Sequence, residues 1–147
     1  MAAVLEPQTS LRLTREYPHS REKVFRAWTD AQALKRWFLP TDQHRVSVAE
    51  VDLRVGGRYR IVVQDPDGEV HGVFGTYREI SAPSRLVFTW AWQSKPEVES
   101  IVTVELLERS HGTELVLTHE RLPDEQSRAR HEHGWTGCLL HLGSVGL

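Results

Sequence analysis

From Arg45 to Glu120 the apolar residues recur at every second position, and one long amphipathic stretch follows them. A period of two places alternate side chains on opposite faces of a strand, so this region reads as a sheet with one apolar face. Val46 and Val48 begin it, then Tyr59, Ile61 and Val63. Val70 to Ile80 is a strand interrupted by Gly72 and Gly75, where glycine predicts bulges or sharp bending. Leu86, Phe88, Trp90 and Trp92 form the next face, followed by Val102, Val104 and Leu106, and by Leu115, Leu117 and His119. Gly56-Gly57, Pro66-Asp67-Gly68, Ala82-Pro83-Ser84 and His111-Gly112 are the turns between them.

Ahead of the sheet region, Leu11 and Leu13 alternate with polar neighbours as a first strand. Ser20 is placed to cap a helix carrying Val24, Phe25 and Trp28 on one face. Asp30 caps a second short helix with Leu34, Trp37 and Phe38 together, and Pro40 ends it. After the last strand, Pro123 breaks the ladder and Asp124 caps the long helix. Trp135, Cys138, Leu139 and Leu142 fall at i, i+3, i+4 and i+7, an apolar stripe. Gly134 and Gly137 each cost that helix about 1 kcal/mol relative to Ala, which points to close backbone approach.

The expected architecture is α+β: a curved antiparallel sheet of about seven strands wrapped around a long C-terminal helix, with two short helices after strand one plugging an open end. The 147 residues fit one core. Residues 1–8 read as a loose leader and 9–147 as a single domain.

Composition narrows the function. The 18 basic and 20 acidic residues are interspersed and give a net charge of −2, so no basic face exists to bind nucleic acid. Cys138 is the sole cysteine, which excludes an intrachain disulfide and suits a reducing compartment. The N-terminal residues lack the charged start and apolar run of a secretory signal, and no stretch approaches the ~20 apolar residues of a membrane span. The expected location is the cytoplasm.

Several of these segments, in this order, resemble one family. Val24, Trp28 and Thr29-Asp30 match its first helix signature, and Leu34 with Trp37-Phe38 its second. Asp52 with Gly56-Gly57-Arg58-Tyr59 matches its glycine turn. Gly75-x-Tyr77-x-Glu79-Ile80 followed by Pro83-x-x-Leu86-Val87-Phe88-Thr89 matches its central hairpin. Val102-Thr103-Val104, Thr113-x-Leu115-x-Leu117-x-His119 and Gly134-Trp135 with Leu139 and Leu142 complete the match, over about residues 10–143. The chain thus resembles the activator of heat-shock-protein-ninety ATPase homologues, within the START-like (SRPBCC) helix-grip superfamily. The resemblance implies a helix-grip fold with an internal cavity between sheet and C-terminal helix. It also implies relatives that bind lipids, hormones or polyketides, a few that are cyclases or hydrolases, and co-chaperones that gave the family its name.

The residues themselves offer one ligand-binding constellation. Trp28, Trp37, Phe38, Phe74, Phe88, Trp90, Trp92 and Trp135 are enough aromatics to line a pocket for a small apolar or aromatic molecule, or simply to fill a core. Val104, Leu117 and Leu139 are expected beside them. His119 shares a strand face with Leu115 and Leu117 and points inward; His131 precedes Trp135 by one helical turn. No metal is expected: two residues apart on a helix, His131 and His133 point about 200° away from each other. Neither a nucleophile elbow nor a phosphate loop is present, so no catalytic residue and no cofactor is assigned. The first reading is therefore a ligand-binding domain. Its rivals are a cyclase- or hydrolase-like enzyme using His119 with an inward acid, and a co-chaperone-type domain with a protein partner.

Overall fold

Residues 9–147 are described by the computed structural model, and the expected leader over residues 1–8 lies outside them. Strand β1 (Thr9–Tyr17) is followed by helices α1 (Arg21–Thr29) and α2 (Ala31–Trp37). Six strands come next: β2 (Arg45–Val51), β3 (Arg58–Gln64), β4 (Val70–Ser81), β5 (Arg85–Trp92), β6 (Lys95–Arg109) and β7 (Gly112–Leu122). Helix α3 (Glu125–His141) runs into a π-helical segment, Leu142–Gly146. The strands form one antiparallel sheet in the order β1-β7-β6-β5-β4-β3-β2. Its edges are β1 and β2, and α1 and α2 are the connection between those two edges.

The three caps read from the sequence form. Ser20 Oγ accepts the Lys23 N–H at 3.2 Å, Asp30 accepts from Gln32 at 3.3 Å, and Asp124 accepts from Ser127 at 2.7 Å. Each satisfies a backbone donor that the first helical turn leaves free, worth about 1 kcal/mol.

The inner face carries the expected alternation: Tyr59, Ile61 and Val63; Leu86, Phe88 and Trp90; Val102, Val104 and Leu106; Leu115, Leu117 and His119 are all buried. Helix α3 covers it with Trp135, Cys138 and Leu139, and Leu142 follows in the π-helical segment. The Tyr17 hydroxyl donates to the Leu139 carbonyl at 2.7 Å, tying β1 to the helix.

The strand glycines act differently from expectation. Gly72 and Gly75 sit in unbroken register with β3, and the β4–β5 irregularity falls between Tyr77 and Glu79 instead. Gly75 is required by close approach, because a Cβ there would land on the Thr89 carbonyl oxygen. That oxygen also accepts the buried Tyr59 hydroxyl. The helix glycines also divide. Gly137 lies against the Pro40 backbone as expected, whereas a Cβ on Gly134 would meet nothing within 4 Å.

Candidate functional site

An open cleft of about 760 Å³ lies between the start of β4, the end of β5, the start of β6 and helix α3 from Ser127 to Cys138. A pairing irregularity coincides with it. Trp90 pairs with Ser100 and Trp92 with Lys95, so four β6 residues face one β5 residue between those pairs. The extra residues take the hairpin out of ladder, and Trp92 is half-buried where Trp90 is buried. On the helix, Ser127, His131, Gly134, Trp135 and Cys138 face the cleft at spacings of three and four.

Two neutral histidines organise its inner wall. The Trp135 indole N–H donates to His119 Nδ1 at 3.1 Å, so Nε2 carries the ring proton and donates to Ser100 Oγ at 2.7 Å. Ser100 in turn donates to the Trp90 carbonyl at 3.2 Å. Burial, with the neighbouring His131 ring adding to it, pulls the His119 pKa down to about 3. His131 has the opposite tautomer: Nδ1–H donates to the Ser127 carbonyl at 2.7 Å, while Nε2 accepts from Trp90 at 3.3 Å and Trp92 at 3.0 Å. Burial lowers its pKa too, the Ser127 carbonyl opposing and the Arg130 charge reinforcing the shift. The two imidazoles stand 4.9 Å apart, and Trp90 lies 5.0 Å from Trp135.

The expected site residues separate into three groups. Phe38, Trp90, Trp92, His131 and Trp135 border the cleft. Trp28, Trp37, Phe88, Val104, Leu117, His119 and Leu139 belong to the packed core beneath or beside it. Trp28 and Trp37 meet edge-on at 4.7 Å, and Trp28 packs 5.8 Å from Trp135. Phe74 is a correction. It alternates with the buried Val73, Gly75 and Tyr77 and so lies on the opposite face of β4, away from the helix.

Sequence reasoning passed over Ser100, Ser127, Lys95 and Arg130, all of which border the cleft, and assigned Gly134, which borders it too, to close backbone approach. Ser100 was legible two residues before Val102 on the same strand face, and Ser127 four residues before His131 on one helical face. At the β3–β4 turn, where His71 also borders the cleft, Asp65, Glu69 and His71 bring their side-chain ligand atoms within 4.8 Å of one another. Asp65 Oδ1 accepts the N–H groups of Asp67 and Glu69, and Oδ2 contacts His71 at 3.0 Å. The His71 hydrogen bond holds the Asp65 pKa below the usual carboxylate range. These contacts account for the turn.

The family model for activator of Hsp90 ATPase homolog 1-like proteins matches residues 18–145. The chain belongs to this family. Among solved structures of similar shape is a protein from Chromobacterium violaceum, 30% identical, covering 92% of this chain and 94% of its own, with a TM-score of 0.83. An AHSA1 protein from Silicibacter pomeroyi is 28% identical over 92% and 96%, with a TM-score of 0.81. An HSP90 activator from Plasmodium falciparum is 33% identical over 90% and 91%, with a TM-score of 0.73. No curated protein matches the chain significantly. The AHSA1-like assignment and the helix-grip architecture read from the sequence therefore stand. Among the described residues, no helix is long and apolar enough to cross a membrane.

Proposed function

We propose that this AHSA1-like protein is a binding module that shelters a small apolar or aromatic molecule between the sheet and α3, in the cytoplasm. The observation that carries this reading is the cleft itself. Its volume of about 760 Å³ falls within the range of about 300–1,000 Å³ expected of ligand pockets, and Phe38, Trp90, Trp92 and Trp135 give it aromatic walls. A ligand there would displace water from apolar surface at roughly 25 cal/mol per Å². The test is titration with an apolar fluorescent probe. Quenching of Trp emission and a rise in melting temperature with probe concentration are expected, since Trp90, Trp92 and Trp135 border the site. Unchanged emission and an unchanged melting temperature at saturating probe would remove the reading.

Two other readings remain in view. The likeness to an HSP90 activator supports a co-chaperone-type interaction domain. On that reading the protein raises the ATP turnover of an Hsp90 chaperone added to it. The enzyme reading draws less support, because His119 is fully buried and both ring nitrogens are engaged by Ser100 and Trp135.

A further inference from the structure

We propose that the molecule held in this cleft is a flat aromatic carboxylate, its ring among the tryptophans and its charged end at Lys95 and Arg130. The inference rests on the binding-module reading and adds the chemical class of the ligand.

The inner wall offers ring surface and few free polar groups. Both Trp90 and Trp92 spend their indole N–H groups on His131 Nε2, and His131 spends its own N–H on the Ser127 carbonyl. Trp135 spends its N–H on His119. What these side chains leave for a ligand is aromatic faces and edges. Trp90 and Trp92 stand at 88° to one another, and Phe38 stands at 88° to Trp135, so the walls meet as flat panels. Such panels favour a planar ring in stacked or edge-to-face contact.

The rim supplies the charge. Lys95 enters from the start of β6 and Arg130 from the helix residue before His131. Among the described residues, neither forms an ion pair. The nearby helix acids Glu125 and Glu132 are both taken by Arg128. Asp124 is the one acid bordering the cleft, and it accepts the Ser127 N–H as the cap of α3. The rim is therefore net positive on a chain whose net charge is −2. Two cations against one carboxylate leave a surplus of one positive charge, which a single negative charge on the ligand would balance. A carboxylate also suits Arg130, whose guanidinium binds planar two-oxygen groups through parallel hydrogen bonds. A neutral ring of the same shape would gain the panels but not the rim.

The test compares 2-naphthoate with 2-naphthamide on the intact protein, read by Trp emission and melting temperature. The two probes share a ring and differ at the proposed charged end. The acid is expected to bind at least tenfold tighter. In the Lys95→Gln/Arg130→Gln double variant its affinity is expected to fall to that of the amide, with amide binding unchanged. Both residues are exposed, so the variant should melt as the parent does. Equal binding of acid and amide, unaffected by the double variant, would overturn the carboxylate assignment and leave the apolar carrier standing. Failure of both probes to bind would overturn both.

Discussion

His119 shows what a single buried side chain contributes here. Its inward direction was legible from the two-residue period, since Leu115 and Leu117 share its face. Its partners were not, because Ser100 and Trp135 come from other elements and only the sheet register and helix placement bring them together. Phe74 illustrates the converse: its aromatic character suggests a pocket, but alternation with Val73, Gly75 and Tyr77 sets its face and turns it away from the helix. The burial of a neutral His119 has a pH consequence. Its folded pKa of about 3 lies below the ordinary value of 6.5. Its contribution is therefore fully present above pH 6.5 and is lost as pH falls, because the unfolded chain takes up a proton that the folded chain refuses. At pH 5 the loss from His119 is about 2 kcal/mol, with His131 acting in the same direction. Urea unfolding at pH 7 and pH 5 should show this loss, and His119→Gln should reduce the pH dependence by about that amount. Equal pH dependence in parent and variant would mean that His119 is not held neutral.

At the scale of elements, helix α3 was readable as a capped, striped helix, but its two glycines look alike in sequence and differ in space. Gly137 lies on the Pro40 backbone, while Gly134 faces the cleft. Gly134→Ala should therefore recover about 1 kcal/mol of helix propensity, raising the melting temperature by about 3 °C. Gly137→Ala gains the same propensity but drives a methyl group into the Pro40 carbonyl, so it should lower the melting temperature. If both variants are stabilised, the close packing of α3 on the α2–β2 connection is wrong. The helix as a whole also covers β1 and β7, and Trp135, Cys138 and Leu139 complete the core. A chain ending at Pro123 should expose that face and aggregate, which gel filtration would show. A monomeric truncation with a cooperative melt would contradict the helix-grip architecture.

For the whole molecule, the strand count, the two short helices and the covering helix were all legible, because period, caps and turn residues agree with one another. Which part of the space under α3 is filled was not legible, since aromatic side chains serve a core and a pocket equally. The end beneath α1 and α2 is almost filled, with Trp28, Trp37 and Phe88 buried in it and a gap of only about 20 Å³ left beside Trp28, Tyr59 and Phe88. The end beside the β5–β6 hairpin is open, where the ladder slips between Trp90 and Trp92. Leu139, expected from sequence at the cavity, lies on the solid side and is 1% exposed, whereas Gly134, one residue before Trp135 on the same helix, faces open space. This division predicts opposite responses to two enlarging substitutions. Leu139→Trp should overpack the core and cost about 1–3 kcal/mol, with the cleft and its probe binding retained in whatever fraction stays folded. Gly134→Leu should fold with stability close to the parent, its side chain occupying the cleft, and should weaken binding of an apolar probe at least tenfold. Chemical unfolding and Trp-quenching titrations on the same two variants separate these effects. If Gly134→Leu binds probe as the parent does, the ligand lies elsewhere than between the tryptophans and α3.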